Sequence, residues 1–410
     1  MRRPGAGLPR EVLVLTAVAF SVAVGFGVVA PALPVFAKQF GVDNTAAGAV
    51  ISAFAFMRLV SALGSGRLVN RLGERVILAT GIAIVAVSSA LAGLSQSYTQ
   101  LLLLRGVGGI GSAMFTVSAI SLLLRVVDAD QRGRATGMWQ SGFLLGGIAG
   151  PTIGGPLTDI SLRAPFFVYA ATLAVAGSIG MLYLTHTPLH DKEVAAQSQL
   201  QRTTLGQALR VSGYRAALLS NLGSGWALFG VRSSLIPLFV TEALGKSSTW
   251  TAVGFFVSAV GQGALLVPAG RLADNVGRRP TMIIGSAVAT LSMGLLASFG
   301  SLSIYVLAMA LFGSASAFLS VAPSAAVGDV VVGRGGTVVA AFQMSSDFGA
   351  VVGPLVAGWL ADQYSFSAAF AATTGVVAVG LVAAIASRET RHQSQPEPEP
   401  ETTSTPSPWT

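Results

Sequence analysis

The chain has 410 residues, of which 52% are hydrophobic and 10% charged, against about 25% charged in an ordinary soluble domain. Too few charges remain to cover a water-soluble core, and the mean hydropathy of +0.69 makes lipid the solvent for most of the sequence. There is no cysteine, and the three histidines, His186, His190 and His392, lie in polar stretches, which excludes disulfides, thiolate metal sites and Cys nucleophiles and argues against a His-based centre; the net charge of +8 sits in short clusters between apolar runs, so it forms no nucleic-acid face.

A membrane helix needs about 20 mostly apolar residues. Span 1 is predicted over roughly 12–36; it exceeds a signal-peptide core and contains Pro31 and Pro34, so it reads as a retained helix. Span 2, roughly 45–66, carries Arg58 and leads into Gly66-Arg-Leu-Val-Asn70-Arg71-Leu-Gly73-Glu74-Arg75. Spans 3 and 4 follow at roughly 76–95 and 100–124, the fourth with Arg105-Gly-Val-Gly-Gly109-Ile-Gly111. Span 5, roughly 135–158, holds Gln140 and the stripe Gly142, Gly146, Gly150-Pro151, Gly154, Gly155. Span 6 runs roughly 165–185.

The segment 186–214 is polar, with Leu205, Ala208 and Leu209 at helical spacing. It reads either as a short helix on the inner membrane surface or as a flexible linker. Spans 7 to 10 are predicted at roughly 215–240, which contains Arg232, then 250–270, 280–299 and 302–327. Span 11, roughly 336–361, carries Gln343 and Asp347, and span 12 covers roughly 365–387. The tail from Arg388 is rich in Pro, Glu, Ser and Thr and is expected to be disordered. The resulting organisation is a helical unit 1–185, a linker 186–214, a second unit 215–387 and a tail 388–410.

With the N-terminus inside, 19 of the 25 Lys and Arg residues fall in inner loops and 3 outside. That bias places both termini in the cytoplasm. The halves also repeat. Phe26-Gly27 and Pro34 return as Phe229-Gly230 and Pro237, Gln140 as Gln343, Gly150-Pro151 as Gly353-Pro354 and Asp159 as Asp362, all offset by 203. The segment Gly66–Arg75 returns as Gly270–Arg279 at an offset of 204. Six spans repeated in one orientation predict two bundles related by an axis along the membrane normal, an architecture suited to alternating access.

Four charges lie inside spans: Arg58, Arg105, Arg232 and Asp347. Each costs about 2.5–3.5 kcal/mol to insert, so a paired or functional role is expected. Asp347 is the central carboxylate, since Asp159, Glu242 and Asp362 fall at outer ends. It reads as a proton carrier or as half of a permanent ion pair. Arg58 and Asp347 lie about 14 Å and 18 Å from the inner ends of their helices at 1.5 Å per residue, depths that allow a pair. Arg232 is placed to attract an anionic group, to gate the outer side or to snorkel. Gln140 and Gln343, at matching depths, suit substrate contact, contact with each other or helix packing.

Over nearly its whole length the chain resembles the twelve-span transporters of the major facilitator superfamily, and more narrowly the bacterial drug:proton antiporters. The resemblance rests on three motifs. The first is the loop motif after span 2, with Gly66, Asn70, Arg71, Gly73 and Arg75, and its second copy, with Gly270, Asp274, Gly277, Arg278 and Arg279. In the family this motif latches the cytoplasmic ends of the bundles in the outward-open state. The first copy departs from it, with Asn70 for Asp and Glu74 at a basic position. Asp274 is therefore expected to meet Arg132 or Arg134, and Asn70 to make neutral bonds near Arg334.

The second motif is Arg105-x3-Gly109-x-Gly111, whose Arg the family implicates in proton coupling; the alternative for Arg105 is snorkelling to the outer surface. The third is the span 5 stripe, which resembles the Gly-Pro antiporter signature and favours export. The resemblance implies an all-α integral membrane protein of twelve helices in two pseudo-symmetric six-helix bundles. It implies a proton-coupled exporter of small amphipathic or drug-like molecules, the alternative being a uniporter or symporter for a sugar or other metabolite. Small-molecule substrate, protons and the bilayer are the implied partners. No enzymatic activity, cofactor or metal is expected, and a monomer in the bacterial cytoplasmic membrane is.

Overall fold

The computed structural model describes residues 8–127, 132–183, 203–331 and 336–390. All regular structure among them is helical. Ten helices are long and apolar enough to cross a membrane, and two more complete the twelve. Span 5, Arg132–Ile160, has the length, but glycine together with Pro151 and Pro156 dilutes its hydropathy. Span 7 is continuous in space but changes helical form along its length. Ser212–Ser224 is α, Gly225–Val231 is π, Arg232–Leu238 is α and Phe239–Ala243 is π.

Span 1 is also interrupted. The helix Arg10–Val29 stops and Ala32–Lys38 continues it, with the bend at Ala30-Pro31. Pro31 and Pro34 remove two backbone donors there, the usual origin of a kink. Spans 2, 3, 4 and 6 are Asn44–Leu72, Glu74–Gly93, Tyr98–Val126 and Ala164–Tyr183. Spans 8 to 12 are Ser248–Asn275, Arg278–Ser298, Leu302–Val330, Gly336–Gln363 and Phe366–Ala386.

The loop motifs correct the sequence reading in one respect, because most of each is helix. Span 2 continues to Leu72 and span 8 to Asn275. The turn is made at Gly73 (φ 84°) and Gly277 (φ 141°). Those backbone angles are strained for any residue with a Cβ, which is why both copies keep glycine there.

Each half packs its own core. In the first, Leu15, Phe36, Leu123 and Phe166 are buried together. In the second, Trp226, Tyr305, Phe312 and Phe370 are. Leu205–Arg210 forms a short helix with a Thr204–Gln207 capping box, and its Ala208 packs beside Tyr214, Val338 and Phe342 of the second bundle. The rest of the linker before residue 203 lies outside the described residues.

The bundles touch unevenly. At the end away from the termini, here the far end, helix backbones meet directly. Gly48 lies against Pro354, Gly358 against Asn44 and Thr45, and Gly155 against Ser248 and Thr249. At the end that holds the termini and the arginine-rich connections, here the basic end, Gly64, Gly66, Gly137 and Gly270 have open space beside them. Among the described residues, direct contact between the bundles is concentrated toward the far end.

Two carboxylates make that closure polar. Asp362, at the end of span 11, accepts from the backbone N–H groups of Asn44 (2.9 Å) and Thr45 (2.7 Å) and from the Thr45 hydroxyl (2.6 Å). Asp159, at the end of span 5, accepts from the N–H groups of Ser248 (2.8 Å) and Thr249 (3.1 Å) and from the Thr249 hydroxyl. Each bundle thus caps a helix N-terminus of the other, where orphan donors and the helix dipole favour an anion. Lys38 and Glu242 add an ion pair between the bundles at 3.2 Å.

Replacing either Asp by Asn puts an amide N–H among these donors and weakens the closed far end. After allowance for exposure the expected cost is about 1 kcal/mol per latch. With no native cysteine, Phe26→Cys supplies a single label at a partly exposed position of span 1. Adding Asp362→Asn should raise its labelling from the far side by about fivefold, and Asp159→Asn should act in the same direction. Unchanged labelling in both would show that the latches do not hold this end.

Candidate functional site

Spans 2 and 11 run side by side from the Asp362 latch toward the basic end. Ser52 donates to the Val351 carbonyl at 2.7 Å. Further from the latch, Arg58 and Asp347 form a hydrogen-bonded ion pair, with side-chain exposures of 34% and 20%. Among the described residues this is the innermost polar tie between the bundles. In such a setting an ion pair is strongly felt, and loss of either partner leaves an uncompensated charge.

Arg105 does not snorkel to the far surface. It is 3% exposed, and its guanidinium lies 4.4 Å from the Phe54 ring centroid. It makes no hydrogen bond, and its Nε is buried without a partner. Arg105 is also not the partner of Asp347. Arg232 lies 4.4 Å from the Phe255 ring centroid. It donates one long bond to the Phe255 carbonyl at 3.4 Å, and its Nε has no partner. Gln140 and Gln343 are both exposed and do not bond each other. Gln343 lines a cavity of about 310 Å³ with Ser324, Val331 and Phe342 near the basic end of spans 10 and 11.

The span 5 glycines serve packing within the first bundle. Gly142, Gly146, Gly150 and Gly154 face the carbonyls of Thr16, Phe20, Val24 and Val28 on span 1. Both rows advance by four residues, so two backbones meet along a smooth seam that a Cβ would block. Pro151 lies against Gly27 in the same seam. Gly155, one residue off the row, is the member that meets the other bundle. In the second half Gly349 and Gly353 repeat the seam against Leu222 and Trp226 of span 7.

At the basic end the two motif copies make matched contacts inside their own bundles. Arg75 donates to the Met181 carbonyl at the end of span 6. Arg279 donates to the Ile385 carbonyl at the end of span 12, at 2.7 Å. Cations at helix C-termini are stabilised by the dipole. Arg71 is exposed. The Asn70 side chain, the Arg132 and Arg134 side chains and Arg334 lie outside the described residues. Asp274 pairs with Arg278 at 2.8 Å and is 71% exposed, so in this conformation it is bound within its own copy.

Glu74, the departure from the motif, has a partner. It pairs with Arg125 at the end of span 4, at 3.0 Å. The equivalent residues in the second half are Arg278 and Asp329, also paired at 3.0 Å. The polarity is reversed between the halves and the bond is kept. The sequence carried a signal for this that was missed: each pair is separated by 51 residues. The tail contributes as well. Glu389 accepts from the N–H groups of Arg278 (2.8 Å) and Arg279 (3.1 Å), and Thr390 donates to Asp329 at 3.1 Å. Residues 388–390 therefore seat on the second bundle, and 391–410 lie outside the described residues.

Glu74→Arg should set two guanidinium groups against each other and reduce the yield of monodisperse protein in detergent severalfold. Combining it with Arg125→Asp restores the pair in the polarity of the second half and should recover most of that yield, a coupling of about 1–3 kcal/mol. A double variant no better than the single would mean that the bond is incidental.

The comparisons agree with this geometry. The sequence matches the Major Facilitator Superfamily over residues 15–261 and again over 218–410. It is 26% identical over 380 residues to the Multidrug resistance protein MdtG of Proteus mirabilis, covering 88% of this chain and 92% of that protein. It is 28% identical over 179 residues to the Quinolone resistance protein NorA of Staphylococcus aureus, covering 44% of this chain and 46% of that one. Among solved structures, a bacterial homolog of the human lysosomal transporter Spinster, inward-facing and unoccupied, superposes with a TM-score of 0.74 at 15% identity, covering 91% of this chain and 95% of that one. A POT family transporter gives 0.75 at 13% identity, covering 94% and 96%. Two bundles of six spans, a repeated motif at the basic end and a family match across both halves identify the chain as a membrane transporter of the major facilitator superfamily.

Proposed function

We propose that the chain is a proton-coupled exporter of small amphipathic, drug-like molecules. It works as a single chain in a bacterial cytoplasmic membrane, with both termini in the cytoplasm. The arginine-rich loops support that orientation, and in it the conformation described here is inward-facing. Similarity to MdtG over 92% of that protein's length and the Gly-Pro stripe support export. Residues 1–185 and 215–387 act as the two rocking units, joined by 186–214.

The observation that carries the coupling is the Arg58–Asp347 ion pair across the bundle interface. In the inward-facing state Asp347 is ionised and Arg58 neutralises it. Rocking opens the far end and draws spans 2 and 11 apart at this depth. A carboxylate stripped of its cation in a low-dielectric gap takes up a proton from the outer side rather than staying charged. Return to the inward-facing state brings Arg58 back, expels the proton to the cytoplasm and restores the tie. Substrate enters from the cytoplasmic side, and its departure outward alternates with the proton's arrival. Arg105, buried in the first bundle against Phe54 and lacking an anionic partner, keeps the potential of that bundle positive and so favours proton release.

Asp347→Asn should lower uncoupler-sensitive efflux of a fluorescent compound from cells by at least about tenfold, because the residue that exchanges the proton is gone. Expression and membrane insertion should be unaltered. Wild-type efflux by Asp347→Asn that still responds to the uncoupler would remove Asp347 from the coupling. Efflux by the unaltered protein that ignores the uncoupler would remove proton coupling altogether.

A further inference from the structure

Three arginines at the basic end have no acid to answer them. Arg210, Arg215 and Arg388 are exposed, and among the described residues none of them is in an ion pair. The carboxylates of this region are already taken. Arg278 holds Asp274 and Asp329, and Glu389 is turned onto the backbone N–H groups that open span 9. The backbone brings the three arginines to one corner. The Arg388 N–H donates to the Ser212 hydroxyl at 3.0 Å, and the Arg388 carbonyl lies against Gly213. Arg388 is thereby fixed beside the first turn of span 7, with Arg210 just before that turn and Arg215 at its end.

The same corner exposes apolar surface. The helix Leu205–Arg210 presses Ala208 into the second bundle. At about 100° per residue, Leu205 and Leu209 stand about 60° and 100° round one side from Ala208, and Gln207 about 100° round the other. The apolar arc thus runs on beyond the bundle wall instead of ending at it. Both leucines remain exposed, at 37% and 41%, and so does Val211. The helix is level with the span ends. One residue, Val211, joins it to span 7, and the Thr203 hydroxyl reaches the Val330 carbonyl at the end of span 10 at 3.5 Å. That is the depth of the lipid headgroups.

We infer that this corner is a binding surface for an anionic phospholipid. Leu205, Leu209 and Val211 rest on the acyl chains, and Arg210, Arg215 and Arg388 hold the phosphate. An apolar face bordered by basic residues is the pattern of helices that lie in the membrane interface, and each basic residue near an anionic surface adds to the attraction. Arginine stems are long enough to reach from the helix edge to the headgroup plane. A soluble anion would satisfy the charges and leave the leucines in water. An uncharged lipid would cover the leucines and leave the charges unanswered. An anionic lipid does both. The inference stands on the fold and is independent of the export reading.

The test uses the full chain in vesicles of phosphatidylcholine and phosphatidylglycerol. Because there is no native cysteine, Leu209→Cys and Gln207→Cys each carry one environment-sensitive fluorophore. The label at position 209 should report a bilayer environment and be quenched by lipid-borne quenchers, and the label at 207, on the opposite side of the helix, should report water. A label at 209 that stays in water would overturn the seating. Selectivity is read by competing spin-labelled phosphatidylglycerol against phosphatidylcholine. The unaltered protein should hold phosphatidylglycerol at least about tenfold more tightly, and Arg210→Gln, Arg215→Gln and Arg388→Gln should each cut that preference about fivefold. Arg67→Gln, an equal loss of charge at an exposed position of span 2, should leave it unchanged. Leu205→Ser combined with Leu209→Ser should weaken the binding of both lipids. A preference indifferent to the three arginines, or an equal fall in all four arginine variants, would overturn the site. Displacement of the bound phosphatidylglycerol by excess inorganic phosphate would overturn the lipid as its occupant.

Discussion

The conformation of this molecule depends on two carboxylates that each bundle lends to the other. A helix N-terminus exposes backbone donors that lipid cannot satisfy and water at the membrane edge satisfies only loosely. Asp362 fills that need for span 2 and Asp159 for span 8. Because the caps come from the opposite bundle, satisfying the helix ends and closing the far end are one event. The small residues around the latches let the backbones come close enough for it, as Gly155 and Gly358 do. Everything nearer the basic end follows from that pivot. Among the described residues the Arg58–Asp347 pair is the polar contact between the bundles furthest from that pivot.

Much of this was legible in the sequence because the bilayer imposes one-dimensional rules. Span length, loop charge and the 203-residue repeat are all written along the chain. The Arg58–Asp347 pair could be anticipated from depth, since helical rise converts residue counts into distance, once the family resemblance set span 2 of one half against span 11 of the other. The interruption of span 7 could not. Pro31 marks the break in span 1, whereas Gly225–Val231 widens to π geometry without proline in it. Its cause is tertiary: Gly225 and Trp226 pack against Ser346, Gly349 and Gly353 of span 11. The latches were half visible. Asp159 and Asp362 were seen as repeat partners, yet nothing local to either indicates a cap on a helix 89 or 317 residues away.

Glu74 shows why a motif read position by position misleads. Taken alone, an acidic residue in a basic slot reads as a weakened latch. Its partner Arg125 has changed with it, and the second half keeps the same bond as Arg278–Asp329. What the fold constrains is the pair. Either polarity ties the start of the third helix of a bundle to the end of its fourth, so the motif's charge pattern is free to invert while its mechanics persist.

The repeat is most informative where it fails. Arg58 corresponds to Gln262, Asp347 to Leu144, Arg105 to Met309 and Arg232 to Val29. At the interface of spans 5 and 8, Leu144 and Ile148 lie 3.8 Å from where a Cβ on Gly263 would sit, and the pair found between spans 2 and 11 has no charged counterpart there. Two equivalent interfaces share the close glycine contacts and the latches. Only one needs charge. A second ion pair would add an insertion cost of several kcal/mol and would leave a second carboxylate to neutralise in every cycle. Under the coupling proposed above, confining the charges to one interface would let a symmetric scaffold move as a whole while a single carboxylate senses the motion.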